Sequence, residues 1–270
     1  MRSCTRHSIA LLVLSVALSV GRQAGASPKV EVVPHRALYD MSLVSARQSS
    51  GIVEVTGVLS FKWGETCDGW TVEQRYKLRM LSAGGPETEI RTNYVSWESK
   101  DGLSYRFNLR NQRNGVTSEE FRGAAELAAK GKAGSARYSR PDGREEALPA
   151  GTVFPTEHTV MLIERALAGE RLFTRTVFDG TTDFGAMLIN AFIGGSLPVS
   201  PEAEEPLTNV RGWRMRLAFF PLDRETEAPE YEVEIELQEN GIARSVELDY
   251  GDFTIRGVLS HLERLPRPGC

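Results

Sequence analysis

Large apolar side chains alternate with polar ones along most of this 270-residue chain. In YEVEIEL (231–237), every second residue is large and apolar, and the residues between them are glutamates. A period of two puts apolar side chains on one face of a β-strand and polar ones on the other. Strands with one wet face pair antiparallel and cover a core with their dry face. The pattern predicts a mainly β protein with about 12 to 14 strands.

One segment near the middle of the chain breaks this period and predicts a single helix over residues 156–169. Thr156 is a good N-cap residue, and Gly169 is typical of a helix end. Apolar residues recur here at spacings of three and four. They are Val160, Ile163 and Leu167. A lone apolar helix among many strands fits best against the concave face of a curved sheet, and the alternative is an outer edge.

Two other segments leave alternatives open. FGAMLINAFI (184–193) is apolar at both parities, which favours a central strand over a helix. PEAEEP (201–206) is acidic and bounded by proline. It is interpreted as a surface loop, because similar strands flank it, although a domain linker is the alternative. We therefore expect one domain over residues 27–270.

The first 26 residues have the three parts of a secretory signal peptide. Arg2 and Arg6 are followed by the uncharged run 9–20 and by small residues that end at Ala26. A membrane anchor is the alternative, but twelve residues make only about 18 Å of helix against a bilayer core of about 30 Å. We expect cleavage after Ala26 and a periplasmic product that does not span the membrane.

Cysteine usage agrees with export. Cleavage removes Cys4 and leaves Cys67 and Cys270. An even pair in an oxidising compartment suggests one disulfide, with two free thiols as the alternative. A terminal cysteine adds little packing, since chain ends fray unless they are tied down.

Evidence for catalysis or metal binding in the sequence is weak. A formal charge of −4 gives no reason to expect a nucleic-acid partner, and three cysteines exclude a multi-cysteine zinc module. No metal site is expected, because His35, His158 and His261 form no pair with metal-ligand spacing. His158 lies in the first turn of the predicted helix, where a structural role is favoured over catalysis.

Other polar and aromatic candidates also have structural interpretations. Four aspartates lie beside glycines or in turn sequences, where they bond their own backbone. They are Asp101, Asp142, Asp179 and Asp252. Trp97, which ends a strand pattern beside a charged turn, is the best tryptophan for a partly exposed ligand contact. Trp63, Trp70 and Trp213 follow the inward parity of their strands, which favours core filling.

Several longer strings resemble a known family. They are CDGWTVEQRYKLRM (67–80), WESKDGLSYRF (97–107), LPAGTVFPTEHTVMLIERALAGERLF (148–173), VFDGT (177–181) and SVELDYGDFTIRGVLSHLERLP (245–266). Together they resemble the EipB family of periplasmic cell-envelope integrity proteins from alphaproteobacteria. The resemblance covers roughly residues 31–270, nearly the whole of the chain after the signal peptide.

The resemblance implies a long, highly curved antiparallel sheet, a β-spiral or open barrel, around a cavity. It also implies a disulfide between Cys67 and Cys270. The family fold is similar to that of lipoprotein carriers that hold acyl chains. No enzymatic activity and no cofactor are implied.

Two functions follow as hypotheses. The favoured one is a non-enzymatic periplasmic protein for envelope integrity. Its cavity would bind an extended lipid, lipoprotein or glycan, or an envelope protein partner, near Val160, Ile163, Leu167 and Trp97. The alternative is a periplasmic hydrolase of an envelope polymer that uses His158 and a turn aspartate. A hydrolase needs polar groups that converge in a cleft, whereas a carrier needs an elongated apolar space.

Overall fold

A computed structural model describes residues 30–199, 206–222 and 226–270, so the predicted signal peptide lies outside it. The described residues form fourteen strands, one α-helix and two short 3₁₀ helices, Gln48–Ser50 and Pro206–Thr208. The strands are β1 His35–Ala46, β2 Ile52–Glu65, β3 Gly69–Ser82, β4 Thr88–Ser99, β5 Ser104–Arg113, β6 Val116–Leu127, β7 Gly134–Arg140, β8 Asp142–Leu148, β9 Leu172–Val177, β10 Met187–Leu197, β11 Gly212–Pro221, β12 Tyr231–Gln238, β13 Ala243–Asp249 and β14 Phe253–Arg264. The helix, α1, is Pro155–Leu167.

The strands form one antiparallel sheet that does not close. Its order is β8-β7-β6-β5-β4-β3-β2-β1-β14-β13-β12-β11-β10-β9. The first and last strands pair with each other in the middle, and β8 and β9 are the two edges. This confirms the mainly β fold, the expected strand number and the single helix.

Side-chain alternation gives the sheet an inner and an outer face. In β1, His35, Ala37, Tyr39 and Met41 are buried, and the residues between them are exposed. We call the face with the buried residues the inner face. Its side chains form three buried clusters, one on β4–β8, one on β9–β12 with α1, and one centred on β1–β3, β13 and β14.

Helix α1 packs on the inner face, as expected. Leu162, Ile163 and Ala166 are buried in the same cluster as inner-face residues of β9–β12. The expected start was wrong, because Phe154 is the N-cap residue and Pro155 occupies the first turn. Thr156 lies inside the helix and makes no side-chain cap. Gly169 follows the helix with φ +77°, a conformation that glycine adopts without strain.

Within the apolar segment 184–193, residues 187–193 form part of a strand, but not a central one, and residues 184–186 precede it. The strand is β10, which lies next to the edge strand β9. Only one face of β10 is buried, and Phe192 on the other face is 52% exposed. Apolar residues on the outer face, Leu188 and Phe192, concealed this alternation in the sequence. The acidic loop 201–206 lies outside the described residues except for Pro206.

The two sheet edges share no ladder in the described part of the chain. They are joined by the segments that flank α1 and β9. Val153 makes a single parallel bridge to Val177. On the β8 side, Glu146 Oε1 accepts a hydrogen bond from the Ala186 N–H at 2.8 Å, and Arg144 donates to the Asp183 carbonyl at 2.8 Å. The chain between the edges therefore covers the gap.

Cys67 and Cys270 are bonded to each other, with their Cα atoms 5.8 Å apart and a sequence separation of 203. Cys67 lies in the β2–β3 turn. The tail that carries Cys270 is also held by Arg267, which forms an ion pair with Glu31 at 2.8 Å. The bond fixes the C-terminus beside an early turn.

We expect Cys67→Ser and Cys270→Ser to lower thermal stability by similar amounts. A loop of this length can contribute about 5 kcal/mol at most through the unfolded chain. The double variant should be no less stable than either single variant, since both changes remove the same bond. Thermal melts and free-thiol labelling of the native protein measure this. Two labelled cysteines in the unmutated protein would contradict the pairing.

Candidate functional site

Packing of the inner face changes along the strands. On β11 and β12, Trp213 opposes Leu237 near one end, and Phe219 opposes Tyr231 near the other. Trp213 is 5% and Leu237 is 2% exposed, whereas Phe219 and Tyr231 are only half-buried. The interior is therefore filled at the first end and accessible at the second.

We call the accessible part the open end and define it by half-buried inner-face residues. These are Tyr76, Met80, Phe219, Tyr231, Leu248 and Phe253. Four of its six side chains are aromatic, and none carries a charge at neutral pH. Such a surface suits an apolar ligand better than a polar one.

Aromatic stacking holds one wall of the open end in place. The rings of Phe219 and Tyr231 stack with centroids 4.3 Å apart, and those of Tyr250 and Phe253 stack at 5.1 Å. Burial raises the pKa of the Tyr231 hydroxyl well above its usual value, and nearby Asp179, Tyr250 and Tyr76 raise it further. The Tyr231 ring also lies 6.3 Å from the Tyr250 ring, centroid to centroid.

A polar link joins β4 and β5 to the segment after β9. The hydroxyls of Tyr94 and Tyr105 are hydrogen-bonded to each other, and Tyr94 donates to the Asp179 carbonyl at 2.9 Å. The Asp179 carboxylate accepts hydrogen bonds from the N–H and hydroxyl of Thr181 at 2.9 and 2.8 Å. The carboxylate of Asp179 thus bonds its own turn, which is the structural role expected for it.

The N-terminus of α1 is capped by a carboxylate from the sheet. Glu98, near the end of β4, accepts hydrogen bonds from the N–H groups of Thr156 at 2.7 Å and Glu157 at 2.9 Å. These N–H groups have no partner within a helix, and the positive end of the helix dipole favours an anion there. Glu98 therefore fixes where α1 begins relative to β4, a role that the sequence analysis missed.

The cavity candidates do not form one group. Ile163 is fully buried against the strands, while Val160 and Leu167 are half-buried on the same helix. Trp97 lies on the outer face, because its cross-strand partners are Thr71 and Arg106 and its neighbours Ser96 and Glu98 point inward. Trp97 therefore cannot line a cavity with the helix residues, and the expectation that it does so was wrong. Ligand contact by Val160, Ile163 and Leu167 stays a prediction.

Comparisons with known proteins agree with this geometry. The model of the EipB-like family matches residues 26–266. The chain belongs to the EipB-like family. It is 33% identical over 251 residues to the cell envelope integrity protein EipB of Brucella abortus (strain 2308), a match that covers 89% of this chain and 87% of that protein.

A solved structure from the same organism shares the fold. It is a crystal structure of a beta-barrel-like protein of a domain of unknown function from Brucella abortus. It aligns with a TM-score of 0.80 at 29% identity and covers 88% of this chain and 100% of that chain. The resemblance inferred from the sequence strings is confirmed.

His158, the leading catalytic candidate, is surrounded by an aromatic ring and a cation. Its ring stacks on Phe173 with centroids 5.9 Å apart, and its Nε2 is buried without a hydrogen-bond partner. Burial, together with the nearby charge of Arg175, lowers the pKa of His158 to about 4. This histidine is therefore neutral near pH 7 and packs as an aromatic side chain.

Two further features of the described residues bear on function. Those residues contain no group of three or more histidine, cysteine or acidic side chains placed to hold a metal ion. Nor does the described part of the chain include a helix that is long and apolar enough to cross a membrane.

The buried Glu98 carboxyl predicts a pH-dependent stability. Burial raises the pKa of Glu98 to about 7 against a usual 4.5, although the two backbone hydrogen bonds lower it. The folded state then binds more protons than the unfolded state between these values, so ionisation of Glu98 lowers the free energy of unfolding as the pH rises. Relative to Glu98→Gln, the unmutated protein should lose about 3 kcal/mol between pH ~5 and pH ~8.

Urea unfolding at both pH values measures this difference. Buried His158 has a lowered pKa and acts in the opposite direction, but it is present in both proteins and cancels. Glu126→Gln, on the exposed outer face of β6, is the matched control and should follow the unmutated protein. Parallel pH profiles for the unmutated protein and Glu98→Gln would contradict the assignment.

Proposed function

We propose that this chain is a non-enzymatic periplasmic protein that supports cell-envelope integrity by holding an extended amphiphile at the open end. The envelope role is supported by the name of the 33% identical relative, cell envelope integrity protein EipB. Ligand binding is supported by one observation above all. The inner face stays apolar at the open end although its side chains there are half-buried.

The chemistry of the open end favours an acyl chain over a glycan or a folded partner. Side chains such as Met80 and Leu248 have no polar atom to bind sugar hydroxyls. Tyr76 and Tyr231 supply hydroxyls beside apolar rings, which suits the junction between an acyl chain and its polar end. A lipid or the acyl part of a lipoprotein is therefore the proposed occupant.

Leu248→Lys should weaken binding of a dansyl-labelled fatty acid by about tenfold or more, because a charge in apolar surroundings costs more than the 1.4 kcal/mol that tenfold represents. Val258→Lys, on the outer face of β14, makes the same change at a 51% exposed position and is the control. Val160→Trp adds bulk on the helix, and it should also weaken probe binding if the ligand contacts Val160. Fluorescence titration with thermal melts separates lost binding from lost folding.

Two results would refute the acyl-chain proposal. The unmutated protein would fail to bind the probe, or Val258→Lys would weaken binding as much as Leu248→Lys does. A glycan or a periplasmic protein partner would then be the occupant to pursue.

For the periplasmic location, we expect the exported protein to begin at Ser27, after the residues typical of a signal-peptidase site. N-terminal sequencing of protein from the periplasmic fraction measures this. Recovery of a chain that begins at Met1 in the membrane fraction would contradict it.

A further inference from the structure

A shallow groove of about 520 Å³ crosses the outer face of β4–β7. Arginines line it without any carboxylate. Its lining residues are Thr71, Val95, Ser96, Trp97, Arg106, Phe107, Asn108, Arg122, Gly123, Ala124, Arg137 and Ser139. The groove lies on the opposite face of the sheet from the open end.

Strand register places the arginines around a small residue. Arg106 of β5 opposes Ala124 of β6, and Ala124 opposes Arg137 of β7. Neighbouring strands are about 4.8 Å apart, so the two arginine backbones lie about 10 Å apart across Ala124. Arg122 follows one row along β6, where it opposes Arg140. The small Ala124 side chain leaves the floor between the guanidinium groups open.

These arginines differ from those on the rest of the outer face. Arg214 pairs with Glu236 at 2.6 Å, and Arg256 pairs with Glu247. By contrast, Arg106 and Arg122 form no ion pair with any residue that the structure describes. Arg137 pairs with Glu145 at 3.2 Å, but both side chains are at least 70% exposed, so this pair is weak.

Trp97 contacts the guanidinium group of Arg106, one of the two groove arginines that form no ion pair with a described residue. The Arg106 guanidinium carbon lies 5.0 Å from the centroid of the Trp97 ring, a cation–π contact. Val95, one row along on β4, is 43% exposed and adds an apolar contact beside the charges. The surface thus gathers several arginines, and the next outer-face residues of β6 on either side of it are the acidic Glu120 and Glu126.

We propose that this surface docks on a membrane that carries anionic lipid. We call it the arginine face and define it as Arg106, Arg122, Arg137 and Arg140 with Trp97 and Val95. Free guanidinium groups attract lipid phosphates, while a tryptophan and an exposed valine suit the interface. The arginines spread over three strands, and a fluid lipid surface needs no fixed spacing between its phosphates.

The geometry favours a membrane over an acidic glycan. Protein sites for sugars use a free aromatic ring as a stacking platform, and the Trp97 ring already stacks with Arg106. The groove is also shallow and open, without the enclosed polar contacts that would select one saccharide. Docking through this face leaves the open end free, so the inference does not rest on the acyl-chain proposal.

The test is co-sedimentation of the protein with phosphatidylglycerol vesicles, using protein purified from cells that express the complete chain. A triple variant carries Arg106→Gln, Arg122→Gln and Arg137→Gln. Each basic residue near an anionic surface strengthens binding about fivefold, so the triple variant should bind about 100-fold more weakly. Binding of the unmutated protein should disappear between about 50 mM and 500 mM salt, and phosphatidylcholine vesicles should bind little.

The matched control removes three arginines that are already paired, with Arg214→Gln, Arg216→Gln and Arg256→Gln. It changes the net charge equally and should bind vesicles within about twofold of the unmutated protein, since paired charges add little at a distance. Both triple variants should still bind the dansyl-labelled fatty acid if the unmutated protein does.

Three results would overturn the proposal. The unmutated protein would fail to sediment with the anionic vesicles, or the control would lose as much binding as the arginine-face variant. In the third, a soluble acidic glycan would bind at these arginines while vesicles would not, and the face would be a glycan site. A failed fatty-acid titration would leave the vesicle result intact, so the two proposals fail separately.

Discussion

The contact between the Glu98 carboxylate and the first turn of α1 decides how the open sheet is completed. Edge strands β8 and β9 share no ladder, and exposed edges invite pairing with other chains. The chain between them must cover the gap, and α1 is the largest element that it provides. Glu98 fixes the start of α1 to β4, while Ile163 and its neighbours fix the rest of the helix to β9–β12.

Burying a carboxylate to cap a helix costs desolvation free energy, and the groups around Glu98 offset part of this cost. Glu98 loses water on burial, which raises its pKa, but it gains two backbone donors at the positive end of a helix. Removing the carboxylate would leave both N–H groups buried without partners, which is costly. The site therefore keeps an acid in the interior, and folding is coupled to proton uptake by Glu98.

The strands and the helix could be predicted from the sequence because their signals are local. In β12, Tyr231 to Leu237 carry the period of two within the strand itself. The pairing of β1 with β14 brings together residues more than 200 positions apart, such as His35 and Arg264. Alternation shows which face of a strand is buried, but not which strand lies beside it.

The errors at the candidate site have the same origin. A local capping rule chose Thr156, whereas the cap comes from Glu98, 58 positions earlier. The sequence did contain a signal for this cap. Tyr94, Ser96 and Glu98 share one parity, so Glu98 points inward with the other two, and an inward carboxylate needs a buried partner. The same parity puts Trp97 outside, but tryptophan was expected to mark a ligand contact. In a strand, parity decides the face more strongly than residue type does.

The outer face shows how one sheet can keep two kinds of surface apart. On β11–β14, Arg214, Arg216 and Arg256 each pair with a glutamate on a neighbouring strand. On β5–β7, small and neutral side chains such as Ala124 and Asn108 occupy the positions between the arginines. These arginines of the first surface are paired within the protein, whereas Arg106 and Arg122 of the second have no ion-pair partner among the described residues. The inner face carries apolar side chains, so it offers no charge to an external surface. Docking through the outer-face arginines, as proposed, would leave this interior undisturbed.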